Sequence, residues 1–146
     1  MTASRRTSLY SPQILGLATE LANIPLDPHA PCIGEARSRI CGSTLALGCT
    51  IDGNSALSTI GMKVSACAVG QAAAAIFANG AVGRDRNELL AAERSIAAWL
   101  SGGEDIPDWP RLAMLEPALP HSGRHEAILL PWRAALDALS KDAASR

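Results

Sequence analysis

Two cysteines stand where a thiol could do chemistry. Cys41 belongs to a Cys-Gly-Ser turn that precedes an alternating apolar segment, and Cys67 follows a second such segment, where helical spacing begins. Both would lie at the same end of an antiparallel pair of strands. A thiol at a helix N-terminus faces the positive end of the helix dipole, which lowers its pKa and favours the thiolate. The spacing therefore predicts a pair of reactive thiols, with two unrelated thiols as the alternative.

A second candidate group precedes the last predicted helix, where His125 is followed by Glu126. A lone histidine is more often a surface or capping residue than a ligand. A glutamate in the first turn of a helix usually complements the helix dipole. Together with Cys41 and Cys67, however, the imidazole and the carboxylate would complete a donor set that zinc or iron accepts. We therefore predict these four residues as candidate metal ligands.

The other two cysteines are predicted to be structural. Cys49 lies on the apolar face of a predicted strand, and Cys32 follows Pro31. Buried cysteine behaves as a small hydrophobic residue. Four cysteines without a Cys-x-x-Cys pair are too few for a disulfide framework in a chain of 146 residues. This cysteine usage indicates a reducing cytoplasm.

The elements that would position the reactive residues begin with an antiparallel meander. Apolar residues alternate with small ones over 43–51, and an alternating pattern returns over about 56–64. The intervening Asp-Gly-Asn at 52–54 is typical of a hairpin turn, since Gly and Asn tolerate positive φ. A weaker pattern at about 35–40 indicates one further strand.

Helical spacing flanks this meander on both sides. Ser11 is a good N-cap for a first helix, and Pro12 suits its first turn. Later helices are predicted from 66 to about 80, from a capping box at 85–88 onward, and over roughly 131–139. Strands followed by helices predict an α+β fold, in which a three-stranded antiparallel meander packs against several helices.

Length and charge exclude several classes of protein. The chain has 146 residues, of which 48% are hydrophobic and 18% charged, and its net charge is −1. No basic field points to nucleic acid or to an anionic membrane, and the apolar run at 72–78 is far shorter than the about 20 residues of a membrane span. We expect a soluble cytoplasmic protein with a flexible N-terminus at 1–9, one domain at 10–140 and a C-terminal tail at 141–146.

The order of these motifs resembles the U-type iron–sulfur cluster scaffolds, namely IscU, SufU and the N-terminal domain of NifU. The resemblance rests on the order of elements and motifs along the chain. A first strand is followed by Cys41-Gly42, then by two strands joined by a hairpin turn, and then by Cys67-Ala-x-x-Gln-Ala, which opens a helix. The two cysteines are 26 residues apart. Tyr10-Ser11-Pro12 before the first helix is also similar. Trp132 and the long insert before the last helix resemble the SufU branch.

This resemblance implies a non-catalytic scaffold for iron–sulfur cluster assembly that works with a cysteine desulfurase. It also implies a cluster or zinc held by three cysteines and an aspartate. The sequence keeps Cys41 and Cys67 but has Ser43 where the aspartate belongs. The place of the third cysteine falls on Glu126 or Ala127, depending on the register taken from Trp132.

Two remaining thiolates leave several functions open, because iron–sulfur clusters normally need about four protein ligands, mostly cysteine. One chain could bind iron, zinc or a labile cluster, or a homodimer could pool Cys41 and Cys67 from each subunit. A metal-free adaptor that binds a cysteine desulfurase and accepts its sulfur is the alternative. A thiol enzyme with Cys67 as nucleophile and His125 as base is less favoured, because it would also need an orienting group and oxyanion donors, for which the sequence offers no candidate.

Overall fold

The structure is a computed structural model that describes residues 11–144. In these residues the strands are β1 (Cys32–Arg37), β2 (Thr44–Ile51) and β3 (Leu57–Ser65). They form one antiparallel sheet in the order β1–β2–β3. The predicted meander is confirmed, although β1 begins and ends three residues earlier than the pattern at 35–40 indicated.

The described part of the chain has four α-helices, which pack with the sheet. They are α1 (Pro12–Thr19), α2 (Ala68–Ala81), α3 (Arg86–Leu100) and α4 (His125–Ala144). Short 3₁₀ helices lie at Glu20–Asn23, Leu112–Ala118 and Ser122–Arg124. The α+β fold class, with a meander packed against several helices, is therefore confirmed. None of the helices in the described part of the chain is long and apolar enough to cross a membrane.

Local capping residues begin two of these helices as predicted. The Ser11 side chain accepts a hydrogen bond from the backbone N–H of Ile14 at 3.2 Å, which satisfies a free donor of the first turn of α1. At α3, the Asp85 side chain accepts from the Glu88 N–H at 2.9 Å, and the Glu88 side chain accepts from the Asp85 N–H at 3.2 Å. This reciprocal pair is the predicted capping box.

The last helix begins earlier and ends later than the predicted 131–139. Pro131 lies inside α4 rather than at its start. Proline lacks the N–H that would bond to the carbonyl of Ala127, so its place in a helix has an energetic cost. Burial offsets that cost, because Ala127, Ile128 and Leu130 are all almost fully buried.

The hairpin turn between β2 and β3 uses a different residue from the one predicted. Its positive φ, of 62°, occurs at Ser55 and not at Gly53 or Asn54. The Asp52 carboxylate accepts hydrogen bonds from the backbone N–H groups of Asn54 at 2.8 Å and Ala56 at 3.1 Å. The turn is therefore held by the side chain of Asp52 rather than by glycine at the left-handed position.

The inner face of the sheet packs against the helices. Leu45, Leu47 and Cys49 alternate along β2 and are almost fully buried. Behind them, three aromatic rings pack together: Trp132 lies edge-on to Phe77 with ring centroids 5.3 Å apart, and edge-on to Trp109 at 5.2 Å. Edge-to-face rings at these distances add to the energy of burial, so Trp132 anchors α4 in the core.

The backbones of β1 and α4 approach so closely that only glycine fits between them. A Cβ atom at Gly34 would overlap the carbonyl oxygen of Ala134 and the backbone of Ala138. Because both partners are helix backbone, neither can move aside without shifting the whole of α4 away from the sheet.

We predict that Gly34→Ala destabilises the fold by roughly 1–3 kcal/mol, the usual cost of overpacking. Gly16→Ala is the matched control, since Gly16 lies within α1 and its added Cβ would have no described atom within 4 Å. This control should be neutral or stabilising by up to about 1 kcal/mol, because alanine favours a helix. Urea unfolding of both variants measures the difference, and equal midpoints would contradict the packing argument.

Candidate functional site

The two candidate cysteines flank the same end of the sheet. The ladder between β2 and β3 ends with Thr44 opposite Ser65. Cys41 precedes this pair by three residues along the chain, and Cys67 follows it by two. The predicted placement of both cysteines at one end of the meander therefore agrees with the strand register.

The N-terminus of α4 lies beside this end of the sheet. A Cβ atom at Gly70, in the first turn of α2, would lie 3.4 Å from the Cβ of Ala127 in the first turn of α4. The starts of α2 and α4 are thus in contact. Cys67 occupies the N-cap position of α2, and Glu126 directly precedes Ala127. The contact between the two helix starts therefore brings Cys67 and Glu126 to one region of the surface.

Cys41 is an exposed thiol held between two buried hydroxyls. Its thiol donates to Ser38 Oγ at 3.1 Å, and its sulfur lies 3.0 Å from Ser43 Oγ, a contact in which either group can donate. Once the sulfur is ionised, the Ser43 hydroxyl can donate to it, and the single proton of the Ser38 hydroxyl can go either to the sulfur or to Glu126, so the thiolate is stabilised. The Ser38 hydroxyl and then the Ser43 hydroxyl lower the pKa of Cys41 below the ordinary value of a thiol.

Glu126 anchors the loop that carries Cys41. Its carboxylate accepts a hydrogen bond from the backbone N–H of Arg39. This bond, with further hydrogen bonds from the Ser38 hydroxyl and the Ile40 N–H, lowers the pKa of Glu126. The carboxylate therefore stays ionised at neutral pH, and its oxygens are engaged with the loop. Ser38 connects the two groups, because its hydroxyl contacts both Glu126 and the sulfur of Cys41.

Cys67 is the N-cap residue of α2 and is half-buried. Within the described part of the chain its side chain makes no capping hydrogen bond. Instead, the Gln71 side chain reaches back and donates to the Ala66 carbonyl at 2.8 Å. The sulfur of Cys67 is thus placed at the helix N-terminus without being used to close the helix.

His125 turns its ring toward a neighbouring 3₁₀ helix. The Nε2 atom lies 2.9 Å from the Leu119 carbonyl oxygen and 3.2 Å from that of Ala118. A carbonyl oxygen only accepts, so Nε2 carries the proton and donates. This nitrogen is engaged in joining the start of α4 to the chain before it, and only Nδ1 is left for any other contact.

The structure brings Cys41 and Glu126 into one hydrogen-bonded group through Ser38, but it does not assemble the four predicted ligands around one point. Across residues 11–144, no three His, Cys, Asp or Glu side chains are placed so that they could hold a metal ion together. A ligand role for His125 or Glu126 stays a prediction. Sequence reasoning missed Ser38, whose only signal is its position three residues before Cys41 in the same loop.

Comparison with known proteins finds the fold and not a sequence family. No family model matches the chain, and no curated protein matches it. Among solved structures, a nitrogen-fixing NifU-like protein (N-terminal) from Brucella abortus is similar with a TM-score of 0.83 and 24% identity, covering 97% of this chain and 99% of that one. A protein of the thermophile Fervidobacterium islandicum AW-1, assigned as an iron–sulfur cluster assembly scaffold for the SUF system, is similar with a TM-score of 0.77 and 19% identity, covering 91% and 98%.

These matches extend over nearly the whole of all three chains. The chain has the fold of NifU-like and SufU iron–sulfur scaffold proteins, so the predicted resemblance is confirmed at the level of the fold.

We predict that Ser38→Ala combined with Ser43→Ala raises the pKa of Cys41, because the thiolate loses both hydroxyl donors. The increase of the Cys41 alkylation rate with pH, measured with iodoacetamide, should then shift to higher pH than in the unmodified protein. Near pH 7 the rate should be several-fold lower. Mass spectrometry of the Cys41 peptide across a pH series measures this rate. Cys67 in the same molecules is the internal control, and an unchanged profile at Cys41 would contradict the role of the serines.

We also predict that Glu126→Ala frees the loop before Cys41. Hydrogen exchange at the Arg39 amide should accelerate, because that amide loses its acceptor. Glu104→Ala is the matched control, since Glu104 is exposed and lies in the loop that follows α3. Amide exchange followed by NMR distinguishes the two variants, and equal protection of Arg39 in both would argue against the anchor.

Proposed function

We propose that this chain acts in iron–sulfur cluster assembly in the cytoplasm as a non-catalytic carrier, in which Cys41 accepts sulfur from a cysteine desulfurase. The observation that carries the proposal is the exposed thiol of Cys41 between the buried hydroxyls of Ser38 and Ser43, with its lowered pKa. A thiolate, not a thiol, is the nucleophile in sulfur exchange. The fold shared with NifU-like and SufU proteins supports the pathway.

The transfer itself is a displacement at sulfur. The Cys41 thiolate attacks the outer sulfur of a persulfide, R–S–SH, on the partner. A new sulfur–sulfur bond forms at Cys41, the old one breaks, and the partner leaves as its thiolate R–S⁻. The reaction needs no external oxidant or reductant, because one sulfur–sulfur bond replaces another. Exposure of Cys41 at the end of a hairpin allows a second protein to reach it.

The donor set favours sulfur acceptance over a metal closed within one chain. Glu126 already binds the backbone of the Cys41 loop, and Nε2 of His125 donates to two carbonyl oxygens. Two thiols whose neighbouring carboxylate and imidazole are already engaged in these hydrogen bonds make a poor site for zinc or for a cluster, each of which normally takes about four ligands.

A second function has its own support. Cys41 is exposed, and both cysteines lie at the same end of the sheet. Two copies of the chain could therefore meet at this end and supply four thiolates, which is the usual number for a bridging cluster. Iron and sulfide would then be cargo assembled between the chains, with Cys41 and Cys67 of each copy as ligands.

The test for sulfur acceptance uses a cysteine desulfurase with ³⁵S-labelled cysteine. We expect persulfide label on the unmodified chain and on Cys67→Ser, and loss of nearly all label on Cys41→Ser, because Cys41 is the exposed cysteine that the hydroxyls of Ser38 and Ser43 contact. Label that stays on Cys41→Ser at the level of the unmodified chain would contradict the proposal. A persulfide of low molecular weight, offered in place of the desulfurase, separates failure of docking from failure of the thiol.

The cluster function is tested on the same proteins after anaerobic reconstitution with iron and sulfide. Bridging requires iron, acid-labile sulfide and a dimer together, all lost in the Cys41→Ser/Cys67→Ser double variant. Native mass spectrometry that shows iron only on monomers would contradict the bridged cluster and leave sulfur acceptance unaffected.

A further inference from the structure

The two cysteines outside the candidate site lie directly opposite each other in the sheet. Cys32, the first residue of β1, pairs with Cys49 of β2. Residues opposite each other in an antiparallel pair point to the same face. Cys49 alternates with Leu45 and Leu47, so both thiols belong to the inner face. The pair lies at the end of the β1–β2 hairpin away from Cys41.

The strand geometry brings these two residues close to the spacing of a disulfide. Cα atoms of opposite residues in antiparallel strands are about 4.5–5.5 Å apart, and their Cβ atoms are about equally far apart. A disulfide needs Cα atoms within about 4.4–6.8 Å and Cβ atoms within about 3.5–4.5 Å. The Cβ atoms of a strand pair therefore need to approach by only about 1 Å to reach the spacing of a disulfide.

We infer that Cys32 and Cys49 form a thiol–disulfide site, which reacts with a disulfide of low molecular weight to give a reversible cross-strand disulfide. The inference rests on the strand register and not on the proposed function. The bond would fasten β1, an edge strand, to the central strand β2. It would link the two ends of the segment 32–49, and Cys41 lies in the loop at the opposite end of this hairpin.

The reaction takes two exchange steps. The Cys32 thiolate attacks one sulfur of the small disulfide, forms a mixed disulfide and releases the first small thiolate. The Cys49 thiolate then attacks the Cys32 sulfur and releases the second. The two protein thiols lose two protons and two electrons, and the small disulfide takes up the electrons and becomes two thiols.

Cys32 is the residue that reacts first. It is 7% exposed, against 1% for Cys49. It also lies at the beginning of an edge strand and follows the exposed Pro31. Opening of a strand end requires less free energy than global unfolding, so a small reagent can reach this sulfur from the native state.

The experiment uses the full chain with Cys41→Ser and Cys67→Ser, so that only Cys32 and Cys49 carry thiols. This protein is equilibrated anaerobically with glutathione disulfide and glutathione at several ratios, quenched with acid, unfolded and alkylated. We expect the oxidised protein to lose the mass of two hydrogen atoms and to take up no alkyl group. Because Arg37 and Arg39 lie between the cysteines, trypsin should yield one linked pair of peptides.

The midpoint of thermal unfolding should rise by several degrees in the oxidised protein, since the link restricts the unfolded chain. Reduction should restore both alkylation and the original midpoint. The matched control carries Cys49→Ala in the same background and should stop at the mixed disulfide of Cys32. The same equilibration is repeated in urea at a concentration below the unfolding transition. Urea favours local opening of the end of β1, so that the reagent can reach Cys32 even if this opening is rare in buffer.

Three results would overturn the inference. One is that both thiols are fully alkylated after each equilibration, in buffer and in urea. Another is that glutathione accumulates on Cys32 and Cys49 separately without a link between them, which would mean that the two sulfurs do not meet. A linked product with an unchanged or lower midpoint would also overturn it, because the bond would then distort the strands instead of fastening them.

Discussion

The fold depends on the contact between α4 and the free edge of β1. Gly34 lets the two backbones approach, and α4 then satisfies polar groups that an edge strand would leave open. Asp137 accepts the Glu35 N–H at 2.9 Å, and Lys141 donates to the Ile33 carbonyl at 3.3 Å. The bond from Glu35 also lowers the pKa of Asp137. With these two groups paired, the outer edge of β1 is less open to pairing with another strand.

The candidate site is an extension of that contact. Two carboxylates of α4 accept from the hairpin: Asp137 binds Glu35 within β1, and Glu126, near the start of the helix, reaches past the end of β1 to the Arg39 N–H. The loop of Cys41 is thereby fixed to the helix and not only to its own strands. Ser38 is buried by this arrangement. Its hydroxyl oxygen accepts from the Cys41 thiol, and its proton can go to the Glu126 carboxylate. Thiol reactivity and helix packing are therefore coupled through one side chain.

Patterns within a few residues were enough to predict β2, β3, the Ser11 cap and the capping box at Asp85, because each rests on local spacing or a local hydrogen bond. The limits of β1 and α4 were misplaced because they depend on each other. Their contact joins residues about a hundred positions apart, and no window along the chain contains both. The Glu126–Arg39 bond spans 87 positions for the same reason. Cys41 and Cys67 could be predicted as a pair because strand register alone brings them to one end.

The residues that depart from the scaffold pattern are all consistent with a site that stabilises a thiolate rather than a metal ion. A metal site needs four donors with lone pairs directed at one point. A thiolate needs the opposite, hydrogen-bond donors directed at the sulfur. Ser43 stands where the resemblance implies an aspartate, and it offers a hydroxyl that donates where a carboxylate would only accept and would repel the charged sulfur. Glu126, near the place of a missing cysteine, has its charge satisfied by the backbone of the loop. Both changes reduce the capacity for metal, while the lowered pKa and the exposure of Cys41 favour an accessible thiolate, which is the form that sulfur transfer requires.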